Sequence, residues 1–351
     1  MRVGFVVNPI AGMGGRVGLK DTDGAVEQAL ERGAEPRAGE RAKRALEAMG
    51  DVELLTAAGR MGADAARAAD VDHEVVYTPA AGADAGVGET TADDTREAVE
   101  RIMERDVDVV VFVGGDGTAL DVARALASAD VPALGVPAGV KVYSAVFATS
   151  PEAAGRTATS FTSTERREVV DADVEAYDPE PRVRGLLRVP VSSELQPRKT
   201  RVEGDVEGAV RGFVEEVEDD VTYVLGPGGT LHDVKRALGF EGTPLGVDVY
   251  RDGRPVVVDA AAEDVREALG DRNAVVVSPL GRQGFVLGRG NQQITPDVVR
   301  RSELVVLSSP EKLSELDVLR VDTGDPALDE ELRGWLRVRV GRHEHRLVEV
   351  E

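Results

Sequence analysis

Gly114, Gly115, Asp116, Gly117 and Thr118 form the run of residues best suited to chemistry in this chain. Glycines let the backbone turn through conformations barred to other residues and let a ligand approach the main chain closely. A helix that starts directly after them offers unpaired N–H groups and the positive end of its dipole to an anion. Asp116 is the odd member, because a carboxylate among phosphate-binding amides repels phosphate unless it has another task. It could hold a divalent cation, bind a ribose hydroxyl or take a proton from one.

Two further loops share this character. Asn8-Pro9-Ile10-Ala11-Gly12 follows the apolar run Val3 to Val7, and Gly226-Pro227-Gly228-Gly229-Thr230 follows a third apolar run. Gly114 to Leu126 and Gly226 to Leu238 both fit G-x-x-G-T-x-x-D-V-x-R-A-L, with Gly228 where the first copy has Asp116. The second copy is either another anion-binding loop or an ordinary strand-to-helix turn with a similar cap. Three glycine-bearing loops at strand ends point to a nucleotide or dinucleotide site. Neither the Walker A lysine with its serine or threonine nor a full G-x-G-x-x-G with a later acidic residue is present, which counts against P-loop and Rossmann-type binding.

The elements that must position these loops alternate along the first third of the chain. Apolar runs at Val3–Val7, Val52–Leu55, Val75–Tyr77, Val107–Val113 and Ala133–Val136 are separated by helix-like stretches at Arg37–Met49, Ala63–Ala69, Asp94–Arg105 and Thr118–Ala127. Such alternation predicts an N-terminal α/β domain with a parallel sheet, and such sheets bind ligands beyond the carboxyl ends of their strands. From about Arg166 short β-branched runs take over, which predicts a C-terminal β-rich domain. The expected division is 1–155 and 156–351. Gly12 to Gly39 reads as a mobile loop, and Trp335 to Val350 as a hairpin able to close either domain.

The chain has 351 residues, no cysteine and a net charge of −22, from 64 acidic against 42 basic residues. The missing cysteine excludes disulfides, thiolate catalysis and cysteine-ligated metals. An acidic, lysine-poor surface suits concentrated salt, where self-repulsion is screened. The same charge argues against nucleic acid or anionic lipid as partner. No apolar run is long enough to cross a bilayer, and Met1 to Val7 enters a strand pattern rather than a signal peptide. The expectation is a cytoplasmic protein; a homo-oligomer is a fair prior with no residue to prove it. His232 reads as a helix-surface residue, and His343 and His345 as solvent-exposed, so the metal ligands stay unknown.

Asn8-Pro9-x-x-Gly12 together with Gly114-Gly115-Asp116-Gly117-Thr118 resembles the superfamily shared by NAD kinases and diacylglycerol or sphingosine kinases. The longer stretches Val7 to Lys20 and Ser278 to Gly284 are similar to a prokaryotic branch described as ATP-NAD kinase-like. That resemblance implies a site in the cleft between an N-terminal α/β and a C-terminal β-rich domain. It implies phosphoryl transfer from ATP or polyphosphate, with Mg²⁺, to the adenosine ribose 2'-hydroxyl of NAD. Asp116 would be catalytic, orienting or deprotonating that hydroxyl. Asn8, Gly12, Gly114, Gly115, Gly117, Thr118, Gly226, Gly228, Gly229 and Thr230 would bind the nucleotide. The chain departs from NAD kinases in lacking an asparagine-acid pair after the loop. Pro137 stands where those enzymes tend to have asparagine, and Lys141, Tyr143 and Ser144 follow as replacement contacts, with a buried helical tyrosine as the plainer reading. A lipid kinase of the same superfamily and a nucleotide-binding regulatory protein without catalysis remain as alternatives.

Overall fold

A computed structural model describes residues 1–19, 25–127, 129–171, 182–197 and 205–351. The chain forms two compact units, Met1–Met13 with Asp21–Arg198, and Gly14–Lys20 with Lys199–Glu351.

The first unit contains strands β1 (Arg2–Val7), β2 (Glu53–Ala57), β3 (His73–Tyr77), β4 (Val109–Gly114) and β5 (Ala133–Pro137). Its helices are α1 (Val26–Glu31), α2 (Ala38–Glu47), α3 (Ala63–Ala68), α4 (Ala92–Met103), α5 (Asp116–Ala125) and α6 (Pro151–Ser160). The five strands are parallel in the order β3-β2-β1-β4-β5. Nearly every residue of β1, β4 and β5 is buried, the pattern of strands covered on both faces. Helix α4 shows how local sequence feeds that packing. Thr91 caps it reciprocally with Asp94, and Ala98, Val99 and Ile102 form its buried face. Gly4 in β1 makes room for that face, since a Cβ there would lie 2.3 Å from Ile102 Cγ2.

A hairpin of β6 (Thr164–Asp171) and β7 (Arg182–Pro190) also belongs to this unit, because Val169, Leu187 and Val189 join its core. The expected division near 155/156 therefore falls inside the first unit. Gly12 to Gly39 is not the loose loop expected. Ala11 and Met13 are buried, a 3-10 turn covers Met13–Val17, and α1 lies within the segment, while residues 20–24 lie outside the described ones.

The second unit runs α7 (Glu207–Val214), β8 (Val221–Leu225), α8 (Gly229–Ala237), β9 (Val247–Arg251), β10 (Arg254–Ala260), α9 (Ala262–Ala268) and β11 (Arg272–Val277). It continues with β12 (Phe285–Leu287), α10 (Pro296–Arg300), β13 (Glu303–Leu307), α11 (Pro310–Ser314), β14 (Arg320–Val321), α12 (Pro326–Glu331), β15 (Gly334–Arg339) and β16 (His345–Val350). Seven of these strands form a mixed sheet in the order β10-β9-β8-β11-β13-β15-β16. Its two faces follow the period of two: Tyr223, Leu225 and Val276 enter one core cluster, Val224, Val275 and Val277 the other. The terminal strands β15 and β16 form the expected hairpin, and it pairs with β13 in this second sheet. Among the described residues six short helices accompany the strands; at five to nine residues they are too brief for the helical period to stand out in sequence.

Candidate active site

The first sheet reverses its strand order between β1 and β4. The chain runs from β1 outward to β2 and β3, then returns to the far side of β1 as β4 and β5. In open parallel sheets the crevice beyond the carboxyl ends at such a reversal is where ligands bind. The loops that leave β1 and β4 there are Asn8–Gly12 and Gly114–Thr118, so topology brings together two of the three loops singled out from sequence.

Side chains and backbone lace them to each other and to the loop after β5. Asn8 Nδ2 donates to Thr118 Oγ1 at 3.1 Å, while Asn8 Oδ1 accepts from Ile10 N at 3.3 Å. Gly114 must be glycine for this to happen, since a Cβ there would lie 2.3 Å from Thr118 Oγ1. Gly12, with φ of +71°, would put a Cβ 1.8 Å from the Ala138 carbonyl oxygen. Gly115 lies against Gly139, its would-be Cβ 3.3 Å from Gly139 Cα. Ala138 N and Gly139 N both donate to the Gly114 carbonyl, at 2.8 and 3.2 Å, and the Pro137 carbonyl accepts from the buried Arg41 guanidinium.

Asp116 is the first residue of α5, and its carboxylate is held at both oxygens. Tyr143 N donates to Oδ2 at 2.7 Å and Ser144 N donates to Oδ1 at 2.9 Å. Hydrogen bonds to an ionised acceptor are the stronger kind. Ser144 is itself fixed from behind: its hydroxyl accepts from Val170 N at 3.0 Å and its carbonyl accepts from Gln196 Nε2 at 3.1 Å. The first intrahelical bond of α5 runs from Ala119 N to Gly115 O at 3.0 Å. The amides of Asp116, Gly117 and Thr118 thus precede it, without an intrahelical acceptor. An oriented carboxylate beside first-turn amides can receive a hydroxyl proton on one side and accommodate phosphate oxygens on the other.

Tyr143 and Ser144 follow Pro137 as expected, but they act through backbone amides. Tyr143 is buried in an irregular segment, not in a helix. No side-chain motif announces a contact of this kind; the only sequence signal was the glycine and proline cluster Gly135 to Gly139, which marks a turn.

The third loop, with Gly226 and Gly228, belongs to the second unit. Gly226 N donates to Val276 O at 2.9 Å and Gly228 N to Pro244 O at 2.8 Å, so both amides serve the fold and not a ligand. Gly228 has φ of +105° and ends the turn before α8. Gly229 and Thr230 fall in the first helical turn, ahead of the bond from His232 N to Gly228 O. Thr230 Oγ1 accepts from Ser278 Oγ at 3.3 Å. His232 is half-buried in α8, and His343 is exposed.

Residues 3–166 match the ATP-NAD kinase N-terminal domain and residues 218–350 the ATP-NAD kinase C-terminal domain. The chain belongs to the ATP-NAD kinase family. The glycine loop with Asp116 lies within the N-terminal match. No curated protein matches the chain. A crystal structure of a putative diacylglycerol kinase from Bacillus anthracis str. Sterne is similar at 16% identity and a TM-score of 0.25, over 49% of this chain and 43% of that one. The chain spans less than half the length of that structure. Among the described residues, no helix is long and apolar enough to cross a membrane.

Among the described residues no group of three or more His, Asp and Glu side chains could hold a metal ion. Asp116 is the single carboxylate of its loop and is already engaged by two amides. Mg²⁺ keeps most of its shell as water and substrate phosphates.

Proposed function

We propose that this chain transfers a phosphoryl group from ATP or polyphosphate to the 2'-hydroxyl of NAD or a closely related nucleotide, giving NADP. The observation that carries this reading is the Asp116 carboxylate, fixed by the amides of Tyr143 and Ser144 at the first turn of α5, where the sheet order reverses. Phosphoryl transfer asks little covalent chemistry of a protein; it asks for position and for charge stabilisation. Asp116 accepts the hydroxyl proton of the ribose as the bond to phosphorus forms and the donor's terminal P–O bond breaks, releasing ADP or a polyphosphate one unit shorter. The first-turn amides of α5 and its dipole receive phosphate oxygens. Asn8 and Thr118 hold the two loops in register.

A high-salt cytoplasm suits the acidic composition, with small-molecule nucleotides as partners and Mg²⁺ arriving on the donor's phosphates. The experiment is a product assay in concentrated potassium chloride with ATP or polyphosphate, Mg²⁺, and NAD, NADH, nucleosides and diacylglycerol as acceptors. NADP formed by the native chain and lost in Asp116→Asn is the expected result. Phosphorylated diacylglycerol, or tight nucleotide binding with no product, overturns it.

A further inference from the structure

The sheet of the second unit also reverses its order once. From β8 the chain moves to β9 and β10 on one side, then passes through α9 to β11 on the other side and on to β13 and β15. Strands β8, β11, β13 and β15 are parallel, so their carboxyl ends share one edge, the edge at which such sheets take ligands. Three polar residues meet there, each from the segment following one of three adjacent strands. Thr230 follows β8, Ser278 directly follows β11, and Lys312 lies in α11 after β13. Lys312 Nζ donates to Ser278 Oγ at 3.0 Å, and Ser278 Oγ donates to Thr230 Oγ1 at 3.3 Å. All three residues are half-buried.

Lys312 is the anomaly. Among the described residues its ammonium makes no ion pair, in a chain with 64 acidic residues, and burial lowers the lysine to about 8. Lys235, in the same unit, shows what a structural lysine looks like here. Fully buried, it pairs with Asp248 at 3.0 Å and donates to the carbonyls of Thr243 and Gly246 at 2.7 and 3.1 Å. All three of its N–H groups are met. Lys312 meets one hydroxyl, which leaves an ammonium short of acceptors beside two hydroxyls and the opening turn of α8. An incoming anion supplies what is missing, and a phosphate oxygen can accept from the ammonium and from the Thr230 hydroxyl, which Ser278 orients by donating to its oxygen.

The structure assigns to Lys312, Ser278 and Thr230 a phosphate-binding site at the reversal point of the second sheet, for a nucleoside triphosphate or an inorganic polyphosphate. The choice of phosphate as the anion rests on the phosphotransferase reading; the presence of an anion site does not.

Calorimetric titration of tripolyphosphate and of ATP tests it, on the native chain and on Lys312→Gln, Lys312→Arg and Ser278→Ala. Lys312→Gln should weaken tripolyphosphate binding about 10–100-fold, the worth of one charge-assisted hydrogen bond. Lys312→Arg should recover most of it, and Ser278→Ala should lose part. ATP weakened in parallel marks a nucleotide's phosphates as the ligand; tripolyphosphate alone marks polyphosphate. Unchanged binding in both Lys312→Gln and Ser278→Ala, or no binding of either ligand by the native chain, overturns the assignment. Failure to make NADP with Lys312-dependent binding intact would refute the reaction and leave this site standing.

Discussion

Replacing Asp116 by asparagine separates chemistry from scaffold, because the two roles of this carboxylate have different magnitudes. It accepts from Tyr143 N at 2.7 Å and from Ser144 N at 2.9 Å. An asparagine of the same shape keeps one carbonyl oxygen and turns the other position into an NH₂ group, which then opposes a backbone N–H donor to donor. One charge-assisted bond is lost and one part-buried donor is left unmet, at ~1–3 kcal/mol. For a unit of this size each kcal/mol lowers the melting temperature by ~2–4 °C, so a fall of ~2–12 °C is expected. Loss of the base is the larger effect, ~10²–10⁴-fold in kcat, with KM for both nucleotides little changed because the amides of α5 remain. NADP formation under saturating substrates and thermal unfolding of the same preparation give the two numbers independently. A variant with near-native kcat removes Asp116 from the reaction. One with native melting behaviour refutes the two-amide hold.

Other perturbations test the surroundings of both sites. Gly12→Ala adds a Cβ 1.8 Å from the Ala138 carbonyl at a φ of +71°, whereas Gly33→Ala, at +76°, meets nothing within 4 Å. The first should lose clearly more stability in thermal melts than the second, whose cost is backbone strain of ~1 kcal/mol. Lys235→Met strands the buried Asp248 carboxylate and should destabilise by ~3–5 kcal/mol in denaturant unfolding. It should also loosen the turn before α8, since Thr243 and Gly246, both bonded to Lys235, flank the Pro244 carbonyl that accepts from Gly228 N. Asp297 is held down to about 2, chiefly by its hydrogen bond to Arg266. Its contribution is therefore full above its ordinary value of 3.8 and is lost as the pH falls from there towards 2. The pair is largely solvent-exposed, so the loss is under ~1 kcal/mol. Asp297→Asn should flatten that part of the acid melting curve.

Period and punctuation made the first unit legible. Strands β1, β4 and β5 are buried on both sides, so they appear as unbroken apolar runs, and α4 carries its start signal in Thr91 and Asp94. Where side chains answer to neighbours distant in sequence, local pattern carries no signal. The β6–β7 hairpin looks like the opening of a strand-rich domain until Val169, Leu187 and Val189 are seen in the first core. Asn8 and Thr118, both expected at the nucleotide, also bond each other across 110 positions, a contact that no local pattern announces. The partners of Asp116 could not be read at all, since any residue can supply a backbone amide.

The repeated pattern G-x-x-G-T-x-x-D-V-x-R-A-L is best understood through what differs between its copies. The leading glycines answer different neighbours. Gly114 yields to Thr118 Oγ1 of its own helix, whereas a Cβ on Gly226 would meet Val276 O and Val277 Cγ1 of the adjacent strand, each at 3.2 Å. What the copies share is narrower: a buried helix face, with Ala119 and Val122 in one and Leu231 and Val234 in the other, and a threonine that accepts a side-chain bond from the residue following the strand across the reversal. Asn8 gives that bond to Thr118 and Ser278 gives it to Thr230. Each bond ties shut the point where a sheet splits its order, which a ligand crevice needs if its two lips are to keep a fixed distance. With that frame common to both, the charge at each mouth decides the chemistry. A carboxylate held by two amides suits the removal of a proton from an acceptor, and an under-coordinated ammonium suits the holding of a phosphate, so one chain can carry both tasks on one structural solution used twice.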